Sequence, residues 1–158
     1  MASTKTKTKQ ARPTNSDEEV RELLAEIRLL EGSARILQSR IDVLQAALSE
    51  TLTAIQTLEG TKGKPEGTDL LLPIGSGAFI KSKISNPDVI MIGVGAGVIV
   101  EKTVDDSIKD LRLRSSDLER ARVNVNQQLG QIIGQAEDYR IHLNELVQKR
   151  GGGAVEIV

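Results

Sequence analysis

Three groups of residues in this 158-residue chain are of types that can do chemistry. The run Ile92-Gly93-Val94-Gly95-Ala96-Gly97 has the glycine density of loops that bring backbone amides up to a phosphate. Its spacing is not GxGxxG, a β-forming run follows where a helix would be needed, and no Lys-Ser/Thr pair succeeds it, so a hairpin turn accounts for it better. Asp105, Asp106 and Asp110 could suggest a divalent cation. However, Asp105 and Asp106 follow Thr103, a good N-cap, and carboxylates in a first helical turn are explained by the macrodipole. His142 is the single histidine, with no nucleophile and orienting acid spaced to make it a general base. The expectation is a protein that is not an enzyme, with no cofactor and no metal.

The elements that would position these residues are two heptad rows. Leu23, Ile27, Leu30, Ala34, Leu37, Ile41, Leu44, Leu48, Thr51, Ile55 and Leu58 follow a strict alternation of four and three, with Thr51 the one member that is not apolar. Val104, Ile108, Leu111, Ser115, Leu118, Arg122, Val125, Leu129, Ile132, Ala136, Tyr139, Leu143 and Leu146 repeat it, interrupted at Ser115 and Arg122. A sustained period of 3.5 keeps a narrow stripe turned toward one partner helix, whereas a globular helix shows a broader stripe at 3.6. Two such arms of similar length, joined by a segment that can reverse the chain, predict an antiparallel coiled coil within one polypeptide. At 1.5 Å per residue each arm would reach roughly 65 to 70 Å. Moving one arm past the other by a heptad leaves every seam residue facing a seam residue, so the pattern does not select the register.

Composition agrees with an architecture that needs no compact core. One Phe, one Tyr and no Trp would be few for a globule of this size. No run of 18 apolar residues occurs and the start MASTKTKTKQARPTN lacks an apolar signal region, so a soluble, cytoplasmic protein without membrane contact is expected. The absence of cysteine excludes disulfides and thiolate metal sites. Net charge is −1, with Lys5, Lys7, Lys9 and Arg12 gathered in the first residues. Such a tail reads as solvated chain and gives no reason to invoke nucleic acid.

The boundaries follow from caps and breakers: a basic tail over 1–15, helix 1 over 16–59, a linker over 60–69, two β-hairpins over 70–102, helix 2 over 103–150 and a short tail over 151–158. Ser16 with Glu19 has the capping-box spacing, Gly60 opens a break that should stop the first helix, and Gly151 to Gly153 should stop the second. Glu31 with Arg35, Asp105 with Lys109 and Asp110 with Arg114 have i,i+4 spacing for ion pairs. Between the helices LLLPI, AFIKSKI, VIMIGV and VIVEKT read as strands, and IGSGAFIK (74–81) repeats as VGAGVIVE (94–101) at an offset of 20. Four strands with open edges, and helices committed to their own seam, leave an apolar surface with nothing to cover it. Oligomerisation through this segment is expected, most economically as a barrel closed by several subunits. The residues expected to make those contacts are Leu71, Leu72, Ile74, Phe79, Ile80 and Ile84 in the first hairpin, and Ile90, Ile92, Val94, Val98 and Val100 in the second. The fold class is therefore α+β: a long antiparallel two-helix coiled coil with two central hairpins that assemble into an intersubunit β-barrel.

With this order of elements, and with LLPIGSGAFIKSKI (71–84) and VIMIGVGAGVIVEKTVDDSI (89–108) as its hairpin segments, residues 16–150 resemble an archaeal prefoldin alpha subunit. Two hairpins mark the alpha class of that family, and one marks the beta class. The resemblance implies an ATP-independent chaperone in which two alpha and four beta subunits form a hexamer with a double β-barrel body. Its coiled-coil tips hold unfolded polypeptides and pass them to a group II chaperonin. A related gamma class assembles into filaments without beta subunits, and a structural coiled-coil scaffold that binds no client is a further alternative.

On that reading the helix ends remote from the hairpins are the candidate client sites. Leu24 and Leu29 on helix 1, and Ile133, Ile141 and Val147 on helix 2, are apolar and off the heptad rows. Seam residues at the same ends, Leu23, Ile27, Leu30, Tyr139, Leu143 and Leu146, would join them if the ends fray. Leu52, Leu113 and Val123 are off the rows elsewhere, so an apolar residue off the seam is not by itself a site.

Overall fold

The computed structural model describes residues 15–149; the basic tail, the glycines at 151–153 and the last residues lie outside them. The order of elements is α1 (Asn15–Thr61), β1 (Asp69–Gly75), β2 (Ala78–Lys83), β3 (Val89–Gly95), β4 (Val98–Thr103) and α2 (Val104–Lys149). The chain divides into two compact units. One joins α1 up to Ser39 with α2 from Val125 onward, and the other is Arg40–Asn124, which contains both hairpins. The fold class is the expected one: two long helices with two antiparallel hairpins between them.

Among the described residues the buried apolar side chains are Ile27, Leu48, Ile55, Val104, Ile108, Leu111, Val125, Ala136 and Leu143, and every one is on a heptad row. A narrow stripe is thus what the two helices bury against each other. Polar members of the rows are accommodated locally. Thr51, also buried, donates to the carbonyl of Ala47 at 2.8 Å, and Ser115 donates to the carbonyl of Arg112 at 2.9 Å. Arg122 reaches out of the seam, donating to Gln45 Oε1 across the helix pair at 3.1 Å and pairing with Glu119 on its own helix. Its Nε stays buried without a partner. The Glu119 carboxylate raises the guanidinium pKa through its hydrogen bond and its charge.

The ends of the helices differ in detail from the sequence reading. α1 begins at Asn15, so Ser16 lies within its first turn, and it continues through Gly60 to Thr61. A helical glycine costs only about 1 kcal/mol relative to Ala. The stop comes at Gly63, whose φ of +74° is the left-handed conformation that closes a helix. The last turn is tied by Lys62 N–H to Leu58 O at 3.0 Å and Thr61 Oγ1 to Leu58 O at 3.1 Å. α2 is capped by Thr103, whose hydroxyl oxygen accepts the Asp106 N–H at 3.1 Å and whose O–H donates to the Asp106 carboxylate at 2.9 Å.

Ion pairing was read as intrahelical, and the structure redirects it. Glu31 pairs with Arg140 instead of Arg35, Asp105 with Lys62 instead of Lys109, and Asp110 with Lys102 instead of Arg114. Arg140 comes from the facing helix, Lys62 from the turn after α1 and Lys102 from β4, so each carboxylate finds its cation outside its own helix. Arg112 with Glu59 at 2.6 Å is a further pair across the helices.

The Thr103 hydroxyl, then Lys109, holds the Asp106 carboxyl below the ordinary aspartate range. A carboxyl whose pKa is depressed on folding adds stability above its unfolded pKa and loses it as pH falls through the folded one. Thr103→Ala should lower the free energy of unfolding by about 1 kcal/mol near neutral pH in urea titrations. The gap from wild type should narrow as the pH drops through the carboxylate range, leaving the share due to the cap on the Asp106 N–H. Arg122→Leu removes a buried donor without an acceptor and fills the seam, so it should raise the thermal midpoint, read by circular dichroism.

Candidate functional site

Two surfaces stand out, one in each unit. The first is the pair of hairpins. β1 pairs with β2 and β3 with β4 as separate two-stranded sheets, so every strand keeps a free edge. The internal repeat is exact in three dimensions: Leu72 opposes Ile80 as Ile92 opposes Val100, and Pro73 opposes Phe79 as Gly93 opposes Ile99. Each turn has two central residues of positive φ, Ser76 (50°) with Gly77 (75°) and Ala96 (49°) with Gly97 (76°), the backbone of a type I′ turn. A bulge at Gly75, and its counterpart at Gly95, precedes each turn. The run that superficially suggested a phosphate loop is therefore a hairpin turn.

Apolar side chains stand on both faces of these ribbons. Leu71, Leu72, Ile74, Phe79 and Ile80 are exposed in the first hairpin, and Val94 and Val98 in the second; Ile84 and Val100 are half-buried. One expectation is corrected here. The hairpin surface is not wholly uncovered, because Ile90 and Ile92 pack against Ile55, Val104, Ile108 and Leu111 at the base of the helix pair. In β3 alternation sends Ile90 and Ile92 to the helices and Met91 to the other side, where it is 71% exposed. Met91 and the exposed Ile99 were missed in the sequence reading, although the period of two in their strands marks them. An open apolar groove of about 850 Å³ runs between α1 and β3, with Ala46, Thr53 and Thr57 on the helix side and Ile90 to Gly93 on the strand side.

The second surface is the unit made by the start of α1 and the end of α2. Leu29 is 65% exposed, Ile133 55% and Ile141 51%, and Tyr139 is also exposed. Leu23, Leu24, Leu30, Leu146 and Val147 are half-buried, while Ile27 and Leu143 are buried at 7% each. The off-row residues therefore split: Leu29, Ile133 and Ile141 stand in solvent, whereas Leu24 and Val147 are half-buried. His142 lies across the pair from Glu19, Nε2 to Oε1 at 3.6 Å, a surface pairing with no catalytic neighbour among the described residues. Exposed apolar side chains also occur at Ile36 in this unit, and at Val43, Leu52, Leu113 and Val123 in the other. Among the described residues no helix is long and apolar enough to cross a membrane, and no cluster of acids and imidazole could hold a metal ion.

The helix pair is thus interrupted by two ribbons that keep free edges and exposed apolar side chains. The Prefoldin subunit family model matches residues 30–149. Prefoldin subunit alpha of Methanococcus maripaludis is 38% identical over 93 residues, 59% of this chain and 62% of that protein, so the match spans less than two thirds of that relative. Prefoldin subunit alpha of Methanococcoides burtonii is 32% identical over 117 residues, 74% of this chain and 85% of that protein. A cryo-EM structure of filamentous PFD from Methanocaldococcus jannaschii matches with a TM-score of 0.57 and 26% identity, covering 77% of this chain and 94% of that one. The chain belongs to the prefoldin family, and within it to the archaeal alpha subunits. Membership of that family supports a role as a chaperone subunit.

If the hairpin side chains are the subunit contacts, a charge placed among them should block assembly without unfolding the seam. Phe79→Asp with Ile80→Lys should shift the solution mass, read by light scattering, to that of a free subunit while helical content is retained.

Proposed function

We propose that the protein is an ATP-independent holdase subunit that captures unfolded polypeptides at the ends of its coiled coil and hands them to a group II chaperonin. The observation that carries this reading is the exposure of Leu29, Ile133 and Ile141 on a unit that contains no strand. Those side chains take no part in the seam and none in the hairpins, so apolar surface remains there after both are satisfied. Seam residues Leu23, Leu30 and Leu146 are only half-buried at the same ends, and fraying of a helix terminus costs little free energy.

The partners on this reading are beta subunits, two alpha with four beta, joined through the hairpins, and the setting is the cytoplasm. A single tip binds weakly, but several tips on one client raise avidity without any new contact. Release then occurs by competition at the chaperonin, with no nucleotide consumed. A second arrangement, self-assembly into filaments without beta subunits, is favoured by one observation, the filamentous neighbour from Methanocaldococcus jannaschii. Both arrangements use the same hairpins and leave the same helix ends for clients. A purely structural scaffold would not need apolar residues at those ends.

Removal of residues 1–30 and 136–158 should abolish ATP-free suppression of aggregation of a denatured enzyme, followed by turbidity, while the solution mass of the assembled complex falls only by the deleted segments. Full activity in the truncated complex would refute client capture at the ends.

A further inference from the structure

The unit of helix ends also holds a groove of about 340 Å³, at the lower end of the sizes that accept small apolar groups. Its floor is Leu24, Ile27 and Leu143. Ile27 and Leu143 are two of the buried seam residues of this unit's helix pair, so the groove opens onto the seam while the helices remain paired.

The rim is cationic for a local reason. Arg28 lines the groove, and on its own helix the positions three and four residues away are Leu24, Ala25, Glu31 and Gly32. Glu31 is the one acid among them, and its Oε1 is held by Arg140 of α2 at 2.6 Å. That hydrogen bond raises the Arg140 guanidinium pKa, and Glu137 adds to it. Asn144, which is neutral, also lines the groove. Among the described residues Arg28 therefore has no ion-pair partner, beside an apolar floor and an amide able to bond a peptide main chain.

We propose that this groove is a client subsite selective for extended segments in which branched or aromatic side chains stand next to an Asp or Glu. The apolar side chains fill the floor, the Asn144 amide bonds the client backbone, and the client carboxylate pairs with Arg28. The proposal rests on client capture at the helix ends and adds a sequence preference to it. It also gives a mode of binding that needs no fraying, because the floor is reached from the side of the paired helices. An exposed pair of this kind supports a modest discrimination, about two- to fivefold.

The test uses the full chain assembled with its partner subunits and two labelled peptides that share a Leu/Phe core, one flanked by Asp and the other by Lys, read by fluorescence anisotropy. The wild type should bind the Asp peptide about two- to fivefold more tightly. Arg28→Glu should reverse the order, and Glu31→Gln, which removes the competing acid, should widen it. Both positions lie at the groove rim, and helical content by circular dichroism confirms folding of the variants. Equal binding of the two peptides, or a Lys preference unmoved by Arg28→Glu, in a complex that still suppresses aggregation of a denatured enzyme, overturns the subsite and leaves client capture standing. Failure to bind either peptide and to suppress aggregation overturns client capture and this proposal with it.

Discussion

The packing of one heptad row against the other is the interaction on which the rest depends. Each Leu or Ile removed from water there contributes about 1.5–3 kcal/mol. Among the described residues the buried apolar side chains all belong to those rows, and no second core competes with them. A seam of this kind consumes a narrow stripe of each helix and nothing more. Everything else on the helices stays available, including the face of α1 that borders β3 and the leucines and isoleucines near the helix ends.

That economy determines what the hairpins can be. They begin at the end of α1 and lead directly into α2, with Thr103 closing β4 and capping the helix in the same residue. Their apolar side chains exceed what the helix bases can cover: Ile90 and Ile92 are packed, while Leu71, Phe79 and Met91 are left in solvent. Two-stranded ribbons with free edges and apolar side chains on both faces are marginal alone. Free edges beside uncovered apolar side chains are the kind of surface that pairs with other chains. The duplicated turn, with the same positive-φ geometry at Ser76-Gly77 and Ala96-Gly97, presents that surface at two equivalent places.

Much of this was legible in the residues, for identifiable reasons. Period 3.5 and period 2 are properties of backbone geometry, so the seam members and the four strands could be read directly, as could the offset of 20 between the hairpins. Helix ends were less legible. Gly60 reads as a stop, yet the helix passes through it to a glycine whose φ is positive, and a glycine's conformation is not written in its identity. The ion pairs were misassigned for a related reason. Glu31 can meet Arg35 at the right spacing on its own helix, but Arg140, more than 100 residues away, holds it at 2.6 Å. Met91 and Ile99 sit within continuous apolar runs, where only alternation along the strand tells which face each member takes.

The amino-acid sequence by itself determined the two helices, the stripe each would bury, the two hairpins with their repeat, and the family. All of these rest on local periodicities or on motifs of adjacent residues. Tertiary structure alone decided the register of the helices, because a heptad slip preserves every apolar contact and only specific cross-pairs such as Glu59 with Arg112 and Gln45 with Arg122 distinguish one register from the next. It also decided which off-row residues are half-buried and which stand in water, and that Arg28 is left without a partner, since each of these depends on what the other helix brings alongside.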